Sequence, residues 1–270
     1  MKKFLNVLAA EAGKILLKYF RTDLTIEYKS RTNPVTRADR ESEQKIKSLI
    51  RKRFPNDRFI CEESCPLPAK IDDKKRYWIV DPLDGTVNFT HGFGTFCVSI
   101  AVMENRQITA GVVSNPFTGE IFFAEKGKGT FRNGKKTYVS RIAKMPESLL
   151  VTGFPYYTYK NPKNVFALFN RFAVRAQGIR RLGSAALDLC YAAEGIFEGF
   201  WEENLGPWDV AAGSLIVKEA GGTVTDFSGG EDYIFGGNIV ASNSKIHKNM
   251  LKIIDAAGQQ ARAGEKCFSG

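Results

Sequence analysis

The sequence predicts an α+β fold built in layers. Between residues 95 and 131, short apolar runs alternate with turn residues, a pattern typical of an antiparallel meander. The second half instead places helical patterns between strand-like runs. Hydrophobic residues make up 43% of the 270 residues, enough to bury a sizeable core. Strands in blocks with helices between the blocks favour a layered α+β arrangement.

The first element is predicted to be an amphipathic helix. Lys2 and Lys3 precede an apolar run, as in a secretory signal, but Asn6 interrupts that run and Glu11 and Lys14 follow it. The apolar residues instead fall at helical spacing. They are Leu5, Leu8, Ala9, Ala12, Ile15, Leu16 and Tyr19. No stretch approaches the ~20 apolar residues that a membrane span needs, so no membrane association is expected.

A polar segment, a second helix and two short strands follow. Residues 26–38 are mostly polar and include Pro34, which predicts a loop or an irregular hairpin. A helical pattern then opens at Asp39, with a buried stripe of Ile46, Leu49 and Ile50. The apolar runs at 59–60 and 78–80 are typical of strands, and each ends on or near acidic residues.

The remaining elements complete the two halves of the chain. The meander predicts strands at 96–103, 108–113 and 121–124. Further strands are predicted at 149–151, 196–201, 223–225 and 239–241. Helices are predicted at 162–172, 184–193, 210–220 and 244–256. This divides the chain into an N-terminal half (1–145), a C-terminal half (146–258) and a polar tail (259–270).

Charge and cysteine content narrow the classes of function. The formal net charge of +10 arises from dispersed lysines and arginines, which favours anionic substrates over a nucleic-acid footprint. The five scattered cysteines do not form the even, dense set of an extracellular disulfide framework. With only two histidines in the chain, a zinc site is not expected. Reduced thiols and a cytoplasmic location are therefore predicted.

Three groups of carboxylates follow strand-like segments and form a candidate metal site. They are Glu62 with Glu63, Asp81 with Asp84, and Asp209. Carboxylates at strand ends can converge at one edge of a sheet, and hard divalent cations such as Mg²⁺ prefer such oxygen ligands. The alternative for Asp209 is a helix start, because Pro207 and Trp208 precede it directly.

The segment from residue 81 to 86, Asp-Pro-Leu-Asp-Gly-Thr, is the strongest local signal. Pro82 stiffens the turn, and Gly85 permits a positive φ or a close backbone approach. A helical turn starting near Asp84 would direct free N–H groups at a phosphate. Thr86 adds a hydroxyl at the edge of the site. The alternative is a plain Asp-Gly turn that caps a helix.

Several longer segments resemble the inositol monophosphatase family. Residues 78–89, which read Trp-Ile-Val-Asp-Pro-Leu-Asp-Gly-Thr-Val-Asn-Phe, are similar to its first signature. Residues 208–213, continuing to 219–222, are similar to its second signature. Further family segments match, in the same order, at 33–39, 62–64 and 183–186. The resemblance extends over roughly residues 33–243, most of the chain.

The resemblance implies a layered α/β/α/β/α sugar-phosphatase fold, with a mainly antiparallel N-terminal sheet and a second C-terminal sheet. It also implies phosphatase activity that depends on two or three Mg²⁺ ions per site, with Mn²⁺ as a substitute and Li⁺ and Ca²⁺ as inhibitors. A cytoplasmic homodimer is expected on the same basis. The absence of a Cys-x5-Arg or histidine nucleophile motif agrees with a mechanism that has no covalent intermediate.

Carried over residue by residue, the resemblance assigns the metal ligands. Glu62, Asp81 and the Leu83 carbonyl would hold a first ion. Asp81, Asp84 and Asp209 would hold a second, and Glu62 would help a third, weaker ion to position the attacking water. Clustered carboxylates and Mg²⁺ together supply the charge neutralisation and positioning that phosphoryl transfer requires.

The resemblance also assigns the catalytic hydroxyl and the substrate contacts. Thr86, paired with Asp39, would orient or deprotonate the attacking water, and the N–H groups of Gly85 and Thr86 would hold the phosphate. The substrate contacts implied in total are Asp84, Gly85, Thr86, Gly183, Ser184, Ala185, Glu202 and Asp209. A carboxylate at Glu202 can accept hydrogen bonds from a polyol, which favours inositol 1-phosphate.

Alternative functions stay open at the level of sequence. Relatives in this family act on fructose bisphosphate, histidinol phosphate or a phosphoadenosine nucleotide at the same kind of metal site. Bacterial relatives are also linked to RNA polymerase and ribosomal RNA processing, and the +10 charge is compatible with such a partner.

Overall fold

The computed structural model describes residues 1–22, 26–30, 33–65, 67–160 and 162–266. Side chains are described in these ranges except at 26, 28–30, 33–34, 162–164 and 258–266. This part of the chain forms five layers: two helices, a seven-stranded sheet, two helices, a five-stranded sheet and two helices. The predicted α+β layered fold is therefore confirmed.

The first layer consists of two helices that pack on each other and on the large sheet. Helix α1 spans Lys2–Tyr19, and all seven residues of its predicted face are buried or half-buried. Strands β1 (Ile26–Ser30) and β2 (Asn33–Thr36) form an antiparallel hairpin, as expected. Helix α2 spans Arg37–Arg53 and begins two residues before the predicted position. The reason is that Thr36 caps it and Asp39 occupies its first turn.

The large sheet confirms the predicted meander. Its seven strands neighbour one another in chain order, and all pairs are antiparallel except the first, which is parallel. The strands are β3 (Arg58–Cys61), β4 (Tyr77–Asp84), β5 (Cys97–Glu104), β6 (Gln107–Asn115), β7 (Glu120–Glu125), β8 (Thr130–Arg132) and β9 (Lys135–Lys136).

The small sheet is mixed and comes from the C-terminal half. Its strands are β10 (Leu149–Thr152), β11 (Gly178–Arg180), β12 (Gly199–Glu203), β13 (Thr223–Thr225) and β14 (Asn238–Ser242). Their spatial order is β11-β10-β12-β14-β13, in which the first two pairs are parallel and the last two are antiparallel.

The other helices separate and cover the sheets. A short helix, α3 (Thr86–Thr90), follows β4 directly. Helices α5 (Ala185–Ala193) and α6 (Pro207–Glu219) lie between the two sheets, while α4 (Pro162–Ala173) and α7 (His247–Lys266) cover the outer face of the small sheet. Nine residues of α6 are buried, because it contacts protein on several sides.

Several predicted boundaries are wrong. Strand β4 continues through the segment predicted to turn and ends at Asp84. Strand β12 begins three residues late, at Gly199, and α6 starts at Pro207 rather than at 210. Helix α7 starts at His247 and runs to Lys266, ten residues beyond its predicted end. The predicted tail thus lies largely in this helix, and its last residues, 267–270, are outside the described part of the chain.

Three short strands were not predicted: β8, β9 and β11. Each has only two or three residues, so its sequence is too short to show an alternating pattern. Such strands are defined by their hydrogen bonds to a neighbouring strand. These bonds are tertiary contacts, so the local sequence does not show them. In the described part of the chain, no helix has both the length and the apolar character needed to cross a membrane.

Candidate metal centre

A bulge in β4 brings two aspartates to the same face of the large sheet. Asp81 pairs with Ser99 and Asp84 with Cys97, so three steps along β4 match two steps along β5. Without the extra residue, side chains three positions apart would point to opposite faces. Pro82 lies inside the bulge, where a residue without an N–H donor is tolerated. The bulge thus directs both carboxylates towards α6.

Asp209 joins the two aspartates from the first turn of α6. One oxygen from each of Asp81, Asp84 and Asp209 can be chosen so that all three lie within 4.8 Å of one another. The hydroxyl of Ser99 donates to the Trp208 carbonyl at 3.1 Å, which ties β5 to the start of α6. The alternative raised for Asp209, a helix start, describes its position correctly and is compatible with its place in this cluster.

Each aspartate of the cluster is anchored by hydrogen bonds. Asp81 accepts the Leu83 N–H at 2.9 Å, and Asp209 accepts the Gly206 N–H at 2.7 Å. Asp84 accepts the Ser184 hydroxyl at 2.6 Å and the Ala186 N–H at 2.8 Å. Because these donors hold the side chains in place, the three carboxylates are positioned before any ligand arrives.

The electrostatics of the cluster favour a cation. Burial raises the pKa of Asp81 well above its usual range, and the charges of Glu62, Asp84 and Asp209 raise it further. Burial, Asp84 and Glu62 likewise raise the pKa of Asp209. Glu62, in the turn after β3, therefore lies close enough to act on both aspartates. A divalent cation would relieve this repulsion, and the all-oxygen donor set suits Mg²⁺.

Asp39 and Thr86 form a second polar group beside the cluster. The Thr86 hydroxyl lies 3.0 Å from the Leu83 carbonyl and 3.3 Å from an oxygen of Asp39. The other Asp39 oxygen accepts the backbone N–H and the hydroxyl of Thr36, at 2.8 and 2.6 Å. Burial raises the pKa of Asp39 to about 6, although the hydrogen bonds from Thr36 oppose this shift.

The turn after β4 requires glycine. Gly85 has a φ of +89°, a conformation that residues with a side chain rarely adopt. A Cβ atom at this position would also lie 2.9 Å from the Thr95 carbonyl oxygen and 3.2 Å from that of Gly183. Gly85 therefore allows the end of β4 to approach the loop before α5.

A pocket next to the cluster contains most of the predicted substrate contacts. Six of them line it: Asp84, Gly183, Ser184, Ala185, Glu202 and Asp209. The other two, Gly85 and Thr86, lie next to Asp84 in the chain but do not line this pocket. Glu202 is buried, and burial together with the charge of Asp84 raises its pKa to about 8, while Arg181 opposes this shift.

The pocket also contains residues that are not among the predicted substrate contacts. Arg181 lines the pocket although its side chain is largely exposed, and Tyr156 lines it from the loop after β10. Asn88 donates to the carbonyls of Thr95 and Leu182, and so joins α3 to the loop before α5. Arg180 and Arg181 are adjacent in the sequence, and residues 156–159 include three tyrosines, but only the fold shows that Arg181 and Tyr156 line the pocket.

The fold and the site together define a class of protein. It is a layered α/β/α/β/α protein in which three carboxylates from two sequence segments meet beside a polar pocket. Such a donor set is suited to a hard divalent cation. The fourth predicted acidic ligand, Glu62, lies within electrostatic reach of this set.

Known proteins with similar sequences identify the family. Residues 1–259 match the model of the inositol monophosphatase family. The Nus factor SuhB of Pasteurella multocida (strain Pm70) is 40% identical over 259 residues, which cover 94% of this chain and 96% of the relative. The inositol-1-monophosphatase of Mesorhizobium japonicum is 39% identical over 255 residues, which cover 93% of this chain and 95% of the relative.

A solved structure agrees with the sequence comparisons. The extragenic suppressor protein suhB from Bartonella henselae superposes with a TM-score of 0.88 at 38% identity, covering 94% of this chain and 97% of its own. The chain belongs to the inositol monophosphatase family. Family membership supports a phosphatase activity, and the acidic cluster is a plausible metal site for it.

Proposed function

We propose that this protein hydrolyses a phosphate monoester on a small polyol, with inositol 1-phosphate as the substrate and Mg²⁺ as the cofactor. The observation that carries the proposal is the convergence of Asp81, Asp84 and Asp209 within 4.8 Å, beside a pocket that contains a further buried carboxylate, Glu202. A 39% identical relative is named inositol-1-monophosphatase, which supports the choice of substrate.

The proposed metal ligands are the residues that the family resemblance assigns. They are Glu62, Asp81, the Leu83 carbonyl, Asp84 and Asp209. A bound Mg²⁺ supplies positive charge that neutralises the phosphate oxygens and favours ionisation of water. In this protein the carboxylates that would hold the ion are oriented by the Leu83, Ala186 and Gly206 N–H groups, and two of them, Asp84 and Asp209, line the pocket.

The attacking water is proposed to be oriented by Thr86. The Thr86 hydroxyl lies 3.3 Å from a carboxyl oxygen of Asp39, and the ionised Asp39 carboxylate can accept a proton. The pKa of about 6 for Asp39 means that this carboxyl is mostly ionised at pH 7 and still basic enough to hold a proton transiently. The hydrogen bonds from Thr36 fix the orientation of the Asp39 side chain, which supports this role.

The polyol is proposed to bind against the start of α5 and against Glu202. Ser184 is the N-cap of α5, and its neighbours Gly183 and Ala185 line the pocket. A buried carboxyl with a pKa of about 8 is largely protonated at pH 7, so Glu202 can donate as well as accept a hydrogen bond. Such a group suits a hydroxyl-rich ligand better than an apolar one.

The test is hydrolysis of inositol 1-phosphate with and without Mg²⁺, in the wild type and in Asp81→Asn. We expect turnover that requires Mg²⁺ and falls by about 10³-fold or more in the variant, because a charged ligand of the transition state is lost. Asp73→Asn is the matched control, since Asp73 is 61% exposed and pairs with Arg106 on the surface. Turnover by Asp81→Asn at the wild-type rate would refute the proposed site.

A bisphosphatase activity is the second candidate, because Arg181 lines the same pocket as Asp84 and Asp209. Its guanidinium could bind a second phosphate group, as in fructose 1,6-bisphosphate. A panel of inositol 1-phosphate, fructose 1,6-bisphosphate, histidinol phosphate and a phosphoadenosine nucleotide separates these activities. Arg181→Ala should lower kcat/KM for the bisphosphate more than for inositol 1-phosphate, and Arg180→Ala provides the neighbouring control.

A role as a Nus factor is the third candidate, because a 40% identical relative carries that name. The net charge of +10 is compatible with binding to RNA or RNA polymerase. If Asp81→Asn abolishes turnover but leaves such binding intact, both functions are present. Absence of turnover on every substrate of the panel would favour the binding role.

The family resemblance supports three further proposals. They are inhibition by Li⁺ and Ca²⁺, replacement of Mg²⁺ by Mn²⁺, and a homodimer in the cytoplasm. Sedimentation of the purified protein tests the dimer, and the metal proposals are tested in the same phosphatase assay.

A further inference from the structure

Two cysteines flank the turn that carries Glu62. Cys61 is the last residue of β3, and Cys65 pairs with it in an isolated antiparallel bridge. The Cys61 N–H donates to the Cys65 carbonyl at 2.7 Å. Directly opposed residues in such a bridge project to the same face, with Cα atoms about 5.5 Å apart. That separation lies inside the range of about 4.4–6.8 Å that disulfides span.

The surroundings of the two thiols differ in a way that suits stepwise oxidation. Cys61 is fully buried, whereas Cys65 is half-buried, and both side chains pack against the hydrophobic cluster under the first two helices. The ammonium of Lys47 lies 3.3 Å from the Cys65 sulfur. An oxidant can therefore reach Cys65 first, and Cys61 lies behind it as the second thiol. Cys97 and Cys190 are buried elsewhere.

We propose that Cys61 and Cys65 form a reversible disulfide that closes the Glu62–Ser64 turn and weakens cation binding at the acidic centre. A peroxide is the oxidant. Hydrogen peroxide transfers one oxygen to the Cys65 sulfur, giving a sulfenic acid and one water. The Cys61 sulfur then attacks the sulfur of the Cys65 sulfenic acid, so that the S–S bond forms and the S–O bond breaks. The hydroxide that leaves takes up the Cys61 thiol proton and becomes a second water. A small dithiol reverses the reaction and is itself oxidised to a disulfide.

The effect on the metal site follows from the geometry of the turn. Residues opposed in a bridge have Cβ atoms about 4.5–5.5 Å apart, whereas a disulfide draws them to about 3.8 Å. The turn between them is held on both sides. Glu62 N–H donates to the Val80 carbonyl at 3.2 Å, and Glu63 N–H donates to Glu43 at 3.0 Å. Ser64 also donates to Glu43. Because Glu62 lies between the two ends, we expect drawing them together to strain these hydrogen bonds and shift Glu62.

The first experiment maps the bond. Protein treated with stoichiometric hydrogen peroxide should lose two hydrogen atoms in its intact mass, and the peptide map should join Cys61 to Cys65. The Cys61→Ser variant should instead stop at a sulfenic acid on Cys65 that reacts with dimedone. The Cys267→Ser variant should form the bond as the wild type does. A disulfide to any other cysteine, or none at all, overturns the inference.

The second experiment measures the consequence, and it rests on the proposed role of Glu62 as a metal ligand. The Mg²⁺ concentration that gives half of the thermal stabilisation should rise about tenfold on oxidation, as expected when a group that orients metal ligands is disturbed. Dithiothreitol should restore the original Mg²⁺ concentration. In Cys65→Ser this concentration should not change on treatment with peroxide.

The two failures can be told apart. If the reduced protein neither gains stability with Mg²⁺ nor hydrolyses any phosphate ester, the proposed function fails. If the reduced protein is active and the disulfide forms without changing the Mg²⁺ dependence, only the further inference fails.

Discussion

Each carboxylate of the acidic centre is held by a different piece of backbone. Asp81 is held by the bulge of its own strand, Asp84 by the first turn of α5, and Asp209 by the residue before α6. These anchors prevent the side chains from turning away from one another. Burial raises the pKa of all three groups, and the charges of neighbouring carboxylates raise the pKa values of Asp81 and Asp209 further. A bound cation would offset both effects, which is the physical reason for expecting one.

Glu202 provides a test of this electrostatic picture through pH. Burial raises its pKa from 4.5 to about 8, so the native protein keeps a proton that the unfolded chain releases. The stability that this group contributes is fully present below pH 4.5 and is lost as the pH rises to about 8. Over this window the free energy of unfolding should fall by about 1.4 kcal/mol per pH unit from this group.

The Glu202→Gln variant should therefore be more stable than the wild type at pH 8, and similar to it at pH 4.5, when both are free of divalent metal. Thermal unfolding across this pH range measures the effect. Glu147→Gln is the matched control, because Glu147 is 55% exposed and should leave the profile unchanged. If the stability of Glu202→Gln depended on pH as that of the wild type does, the raised pKa of Glu202 would be contradicted.

At the scale of elements, the centre depends on how closely α6 packs against the large sheet. A Cβ atom on Gly111 in β6 would lie 3.0 Å from the Ala212 Cα and 3.3 Å from the Ala212 carbonyl oxygen. Because these are backbone contacts, no side-chain rotation can relieve them. The position of α6, and with it that of Asp209, is thus set by a glycine on a neighbouring sheet.

The Gly111→Ala variant is expected to lose about 1–3 kcal/mol of stability, the usual cost of overpacking. The added methyl group should push α6 outward, and α6 would then carry Asp209 away from the other two aspartates. The variant should therefore need more Mg²⁺ for the same thermal stabilisation. Urea unfolding and a Mg²⁺ titration measure the two effects.

Gly119→Ala is the control for this pair of measurements. Gly119 has a φ of +75°, but a Cβ atom there would have no heavy atom within 4 Å. This variant should lose roughly 1–2 kcal/mol from backbone strain and show an unchanged Mg²⁺ response. Equal Mg²⁺ responses in the two variants would show that α6 does not set the geometry of the centre.

At the scale of the whole molecule, the proposed ligands come from sequence positions as far apart as 62 and 209, and the pocket residues come from both halves of the chain. A cation bound to all of them would link elements that unfolding separates. Binding to the native state alone raises the free energy of unfolding, by about 2.7 kcal/mol when the ligand is at 100 times its Kd.

Saturating Mg²⁺ should accordingly raise Tm by roughly 5–10 °C for a chain of this size. Scanning calorimetry with Mg²⁺, and with sodium chloride at equal ionic strength, separates the increase in Tm caused by Mg²⁺ binding from the effect of ionic strength. Asp81→Asn should show no specific increase. A Tm that does not respond to Mg²⁺ in the wild type would refute the metal centre.

Much of the fold was predictable because its signals are local. The spacing of apolar residues in α1, and the alternation of apolar runs and turns from β5 to β7, reflect contacts that each element makes along its whole length. Boundaries were less predictable. Strand β4 continues through Pro82 because a bulge accommodates it, and a proline in a sequence argues against a strand unless the partner strand is known.

The sequence by itself determined the family, the two layers of strands and the identity of the acidic residues, since motif order and hydrophobic periodicity are properties of the chain alone. Only the tertiary structure decided that Asp81, Asp84 and Asp209 meet within 4.8 Å, that Arg181 and Tyr156 face the pocket, and that Cys61 is opposed to Cys65. The reason is physical: these distances are set by the bulge, by the packing of α6 and by strand pairing, and each of these depends on contacts between residues remote in the chain.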